Sequence, residues 1–251
     1  LTYHHHKIDQ RQRYDQRVYR ADARSMPAQR ELAALLQDHL VNEQGDIYEQ
    51  QDDTLLFKPH GMRLPVAGDE PLWHCSLWIA DDLVIMEQRD DQYQLTAASL
   101  CSPSEWRLED KFGLSIARIH DPIPGFADTL APPVERFFHH LKVEHPVVRY
   151  NWSLQSGDGL KRRPEDNENV SIAAPVYYRC ERQSLRRLPV TGAIAFTIRV
   201  YLHPLTSLPH PALTALLRSI AETPAALAAY KGFDKLAPAL SRYAALAPAV
   251  H

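Results

Sequence analysis

Three runs in the second half of the chain constrain the fold most: VVRYNWSLQ from Val147, VYYRCERQSL from Val176 and AIAFTIRVYL from Ala193. Each is dense in β-branched and aromatic residues, which suit a pleated, half-buried surface. In the last run Ile194, Phe196, Ile198, Val200 and Leu202 share one face while Thr197, Arg199 and Tyr201 share the other, so one face is core. LPVTG, between the last two runs, reads as a tight connection. In the middle run Tyr177, Arg179, Glu181 and Gln183 alternate with Val176, Tyr178, Cys180 and Arg182, so both faces carry polar groups. A surface strand has that pattern, and so has a strand lining a pocket for a charged ligand.

Two earlier runs, LVIMEQR from Leu83 and YQLTAASL from Tyr93, read as a hairpin turning at Asp90-Asp91. From Ser104 to Val143 the pattern becomes helical, with Ser104 as an N-cap and Glu105 and Glu109 suited to early turns. One short helix there runs toward His120 and must stop near Asp121, because the residue before Pro122 is pushed out of helical geometry. A second is expected in APPVERFFHHLKV, where Val134, Phe137, Phe138 and Leu141 form an apolar face behind paired prolines. PAQRELAALLQDHLVN is a packing helix with Leu32, Leu35, Leu36, His39 and Leu40 at helical spacing. The segment from His210 should form several short helices interrupted at Pro211, Pro224 and Pro238, and SGDGLKRRPEDNENVSIAAP reads as a surface loop.

The order of two strands, a helical segment and three strands predicts an α+β architecture with a mostly antiparallel five-stranded sheet and helices on one face. We expect a single domain over 1–251, with a helical extension at 1–80, the core at 81–204 and a second helical extension at 205–251. The 28 Lys and Arg against 31 Asp and Glu give a net charge of -3, which offers no basic field for nucleic acid or an anionic membrane. Cys75, Cys101 and Cys180 are far apart, against a zinc ribbon, an iron–sulfur cluster or a disulfide framework. With no apolar run long enough to span a bilayer and no charged-then-apolar leader, the expected location is cytoplasmic. No function is assigned to His4, His5 and His6.

The stretch RIHDPIPG places His120 at the end of an apolar run, with Pro122 and Pro124 restricting the backbone after it and Gly125 permitting a sharp turn. A histidine so braced serves either as a helix C-terminal partner or as a metal ligand.

SPSEWRLEDKFGLSIARIHDPIPG, followed by APPVERFF, RYNWS and RCERQSLRRLPVTGAIAFTIRVYL, resembles the haem-dependent oxidative N-demethylase family, the haem subunits of dimethylamine monooxygenase-like proteins. The resemblance runs from WIADDLVIM through AYKGFD around Lys231; the region before Leu83 diverges, and WIADDLVIM replaces a more acidic version. It implies a PAS-like core binding haem b, which activates O2 to remove a methyl group from a small secondary amine, giving formaldehyde and a primary amine. It implies electrons from an NADPH-dependent flavin and iron–sulfur reductase partner, within a hetero-oligomer. The chain itself shows no GxGxxG or Walker-type loop and no cysteine cluster to carry nicotinamide or an iron–sulfur centre.

Against that resemblance His120 is the expected iron ligand, with His139 and His140 behind it, and His60 and His74 weaker. The guanidinium groups available to the propionates are Arg149, Arg179, Arg182 and Arg186, with Arg187 beside them. Glu181 is the candidate carboxylate for the substrate ammonium and its proton. Tyr150, Trp152 and Tyr177 are candidates to line the pocket. A haem or small-molecule sensor on the same scaffold, and a member without cofactor, are the competing readings.

Overall fold

The computed structural model describes residues 3–104, 106–162, 171 and 173–244. In chain order its strands are β1 (Tyr19–Ala21), β2 (Tyr48–Gln51), β3 (Thr54–Phe57), β4 (Met62–Pro65), β5 (Asp82–Arg89), β6 (Gln92–Ser99), β7 (Val147–Ser156), β8 (Val176–Arg187) and β9 (Ile194–Pro204). Its α-helices are α1 (Tyr3–Tyr14), α2 (Met26–Glu43), α3 (Pro71–Ser76), α4 (Leu108–Lys111), α5 (Ile116–Ile119), α6 (Ala131–His140), α7 (His210–Ala221), α8 (Ala225–Tyr230) and α9 (Phe233–Ala244).

The five expected strands form at their expected places, but the sheet has six, in the order β1-β6-β5-β9-β8-β7, and every pairing is antiparallel. The sixth, β1, is too short to leave a period in the sequence. It is fixed by pairing Tyr19, Arg20 and Ala21 with Ser99, Ala98 and Ala97. The hairpin turns at Asp90 and Asp91, both at positive φ (50° and 61°), the geometry whose twist matches that of the flanking strands. The N-terminal region is not purely helical, since β2, β3 and β4 make a separate three-stranded sheet.

The main sheet is covered on both faces. Leu83, Ile85, Ala97 and Ala195 face the N-terminal layer of α2, α3 and the small sheet, against Leu32, Leu55, Trp73 and Trp78. Val84, Met86, Leu95, Leu185 and Ile194 face the central helices, against Leu108, Ile116, Ile119 and Phe138. The C-terminal helices pack Leu213, Phe233, Leu236 and Tyr243 on Leu154 and Val176 at the far end of β7 and β8.

Other expectations are corrected in detail. Ser104 does not cap a helix: it bridges to Arg162, and the next helix starts at Leu108. Glu105 lies outside the described residues, as do 163–170 and 172 of the long loop. Pro211 and Pro224 stand at helix starts as expected, but α9 continues through Pro238.

The histidine run at the N-terminus is part of the fold. His4 is 5% exposed with its ring 5.0 Å from that of Phe57, and His6 Nε2 donates to Cys101 O (3.0 Å). Lys7 is fully buried and donates to Ser76 O (2.7 Å) and Asp81 O (2.6 Å). Burial and the neighbouring Lys7 depress the His4 imidazole below the ordinary histidine range. A base with a depressed folded pKa leaves the unfolded state binding more protons, so its share of stability is intact above pH ~6.5 and is lost as pH falls through the folded value. His4→Leu is therefore expected to gain on wild type as pH is lowered from 8 to 5. Thermal midpoints of the two proteins that stay parallel across that range would contradict the assignment.

Candidate functional site

Register decides which side chains share the face beneath the central helices. On β8, Arg179, Glu181, Gln183 and Leu185 stand opposite Leu202, Val200, Ile198 and Phe196 of β9. On β7, Arg149, Asn151 and Ser153 stand opposite Gln183, Glu181 and Arg179, and Gln155 opposite Tyr177. One face of three strands thus carries an apolar strip from β9 beside a polar row from β7 and β8.

The polar row is joined by hydrogen bonds. Arg149 Nε donates to Gln183 Oε1 (2.8 Å), Gln183 Nε2 to Glu181 Oε2 (3.1 Å), and Arg179 Nε to Glu181 Oε1 (3.0 Å). Arg179 is fully buried, and it also donates to Gln155 Oε1 (3.3 Å), Leu160 O (2.9 Å) and Ser102 O (2.5 Å). Ser102 is itself held: Asp82 accepts from the backbone N–H of Cys101 (3.0 Å) and Ser102 (2.8 Å). A guanidinium and a carboxylate out of water need this full set of partners, because unpaired buried charge is costly.

His120 terminates α5 on the same side of the sheet. Its Nδ1 lies 2.8 Å from Ile116 O. A carbonyl oxygen only accepts, so Nδ1 carries the proton and Nε2 presents a lone pair. The two prolines shape the return of the chain: Ile123 N–H donates to His120 O (2.8 Å), Phe126 N–H to Ile123 O (3.1 Å), and Gly125 sits at φ 73°. The Phe126 ring is thereby stacked on the imidazole, with centroids 4.6 Å apart and planes at 17°. Burial depresses the His120 pKa below the ordinary histidine range, the bond to Ile116 raises it, and the charges of Arg149 and Lys111 lower it further. At neutral pH the ring is a neutral, oriented donor of one nitrogen lone pair, the form in which histidine binds metals.

The structure places Arg149, Arg179, Tyr177 and Glu181 on one face of the sheet, with His120 on the helical side of that face, and it puts the remaining candidates elsewhere. Tyr150 and Trp152 pair with Arg182 and Cys180, placing them on the opposite face from Glu181. Tyr150 is 68% exposed, while Trp152 stacks between Tyr178 (5.9 Å) and Phe233 (5.6 Å) beneath α9. Arg182 and Arg186 likewise point away from His120; Arg182 meets Asp81 (3.3 Å) and Arg186 is at the surface. Arg187 is neither solvated nor on that outer face: it clamps the end of α6 through Leu141 O (2.6 Å) and Phe138 O (2.5 Å). His139 and His140 are exposed, and His140 Nδ1 bonds Arg136 O (2.7 Å). His60 sits against Phe57 (5.5 Å), and His74 fills the space beside Gly68, both in the N-terminal layer.

Sequence reasoning passed over Lys111, Gln155, Ser102 and Lys231, and placed Gln183 on the strand face without a role. Gln155 and Gln183 had a signal, being at period two from the other polar positions of their strands. Lys231 Nζ donates to Trp152 O (2.9 Å) and lies 4.5 Å from the Trp152 ring; burial lowers its pKa, and Glu181 pulls the other way. Among the described residues no three His, Cys, Asp or Glu side chains are gathered to hold a metal, and no helix is long and apolar enough to cross a membrane. The charges of Arg149 and Lys111 act on the His120 ring, and Ile116, Ile119 and Ile198 belong to the apolar cluster under the central helices.

Comparison with known families gives a match over residues 1–241 to the family described as haem-dependent oxidative N-demethylase, alpha subunit-like. The match includes the N-terminal layer, which the sequence motifs alone had left outside.

Proposed function

The chain belongs to the haem-dependent oxidative N-demethylase alpha subunit-like family, and on that premise we propose that it is the haem b-carrying oxygenase component that removes a methyl group from a small secondary amine of the dimethylamine type. The products are a primary amine and formaldehyde, with O2 as oxidant and electrons from a reductase partner. The observation that carries this reading is His120, whose proton is fixed on Nδ1 by Ile116 O and whose Nε2 is left as a ligand.

The residues at this site are of the kinds that would hold a porphyrin. An imidazole that would bind iron needs its second nitrogen hydrogen-bonded, and His120 has that bond. Two propionates would need cations, and Arg149 and Lys111, whose charges act on His120, are the ones we assign to them. Bound there, haem supplies the redox chemistry that activates dioxygen. The chain's own side chains do the rest. Glu181 accepts one hydrogen bond on each oxygen, from Arg179 and Gln183, and keeps lone pairs for an ammonium and for the proton the amine must lose. Arg179 holds that carboxylate in place, Tyr177 shares its face, and Gln183 ties it to Arg149. We read residues 81–204 as a PAS-like core within a single domain, supported by the element order β5, β6, α4 to α6, β7, β8, β9.

The test is an absorption spectrum of protein expressed with haem precursor, followed by dimethylamine, then dithionite and air with formaldehyde as the readout. A Soret band that shifts with amine and yields formaldehyde is expected. A band without formaldehyde favours a sensor, and no band removes the reading. Glu181→Gln is expected to weaken amine binding about tenfold or more, the scale of one charge-assisted hydrogen bond, with the Soret band retained. Amine titrations identical to wild type would take Glu181 out of the site.

A further inference from the structure

Glu181 has three kinds of neighbour on its face of the sheet. Along β8 it is flanked at a spacing of two by Arg179 and Gln183, and each donates to one of its carboxylate oxygens (3.0 and 3.1 Å). Across one side stands Val200 of β9, 2% exposed, with Ile198 and Leu202 continuing the apolar strip. Across the other side stands Asn151 of β7. The β7–β8 register runs from Val147 opposite Leu185 to Ser156 opposite Val176 without a shift, so the position of Asn151 beside Glu181 is held by the whole ladder.

Asn151 has no structural duty that the fold reveals. It is exposed, and its side-chain amide makes no hydrogen bond with another described residue. Glu181 is already held by its two neighbours on β8, and both of those bonds arrive along the strand. The open directions at the carboxylate are therefore toward the Asn151 amide, toward Val200, and away from the sheet. Directly opposite side chains have Cβ atoms about 4.5–5.5 Å apart. One tetrahedral nitrogen making two hydrogen bonds of about 2.9 Å bridges a comparable gap.

We propose that Asn151 is the second acceptor for the substrate and selects amines by their number of N–H bonds: a secondary ammonium gives one N–H to Glu181 and one to Asn151 Oδ1, with its alkyl groups against Val200 and Ile198. The proposal rests on the functional reading above, which puts the amine at Glu181. A dialkylammonium has two N–H donors and satisfies both acceptors. A trialkylammonium has one, and must turn an alkyl group on the other acceptor. A monoalkylammonium has a third, which meets only the apolar strip. Polar groups left unpaired at a binding site discriminate more strongly than a methyl group gained or lost in an apolar one. The same contact orders the loss of the proton. When Glu181 takes it, an N–H bond breaks and an O–H bond forms, while the remaining N–H stays on Asn151 Oδ1. The nitrogen lone pair is then left along the former N–H direction, facing Glu181.

The haem-loaded full chain is titrated with methylamine, dimethylamine and trimethylamine, read by the Soret shift and by calorimetry. Wild type is expected to bind dimethylamine about tenfold or more tighter than either of the others. Asn151→Leu has a similar volume and no acceptor, and should weaken dimethylamine about tenfold and bring it level with trimethylamine. Asn151→Asp keeps an acceptor of the same shape and should keep the preference for dimethylamine over trimethylamine. Wild type that binds all three amines equally would overturn the proposal and leave the functional reading standing. So would Asn151→Leu that keeps the wild-type preference, or Asn151→Asp that loses it as leucine does. A chain that takes up no haem, or a loaded chain that binds none of the amines, removes the functional reading and this proposal with it.

Discussion

His120→Ala is expected to abolish the Soret band of protein expressed with haem precursor, while far-ultraviolet circular dichroism remains that of the wild type. The ring is fixed by its bond to Ile116 O (2.8 Å) and by Phe126 stacked 4.6 Å away. Those partners orient the imidazole from within α5 and the turn after it, so its loss should remove the ring without dismantling the sheet. Added imidazole should restore part of the band by filling the vacated volume, which a purely structural role for the histidine does not predict. A full band in the alanine variant would transfer the ligand role to another residue.

The second large effect belongs to Arg179. Arg179→Met is expected to cost roughly 3–5 kcal/mol of stability, the range for breaking a buried charged pair, read as a lower urea midpoint at unchanged slope. The guanidinium is fully buried, and its removal strands Glu181 and leaves Gln155 Oε1, Leu160 O and Ser102 O without their donor. Adding Glu181→Leu should recover part of the loss, because an apolar pair is tolerated better than one unpaired charge. A single-variant loss below about 1 kcal/mol would mean that water or another cation replaces the arginine. Asp82 and Lys7 belong to the same support: Asp82 holds Ser102, and Lys7 ties α1 to Ser76 and Asp81. The N-terminal helix is therefore coupled to the polar row through these hydrogen bonds and the peptide link between Asp81 and Asp82.

α1 shows why part of this was illegible beforehand. Its sequence YHHHKIDQRQRY buries His4, Lys7 and Gln10, so the face that packs is polar. Hydrophobic periodicity is silent for such a helix, and the anchoring acceptors, Ser76 O, Asp81 O and Cys101 O, lie in distant parts of the chain. β2, β3 and β4 escaped notice for another reason: four residues each are too few for an alternation to stand above chance.

Local chemistry in the chain fixed the five long strands, the Asp90-Asp91 turn, the helix ending at His120 and the bracing that follows it, because strand period, turn conformation and proline geometry act over a few residues. The family motifs lie in those same stretches, so the haem reading was also legible there. Which face of the sheet received the histidine was decided only by the tertiary structure. Period-two alternation says that Tyr150 goes with Trp152 and that Arg179 goes with Glu181. Only the register that sets Asn151 opposite Glu181 says that the two sets are on opposite sides. That register is a property of two strands together, settled by the layers packed on each face, and neither strand carries it alone.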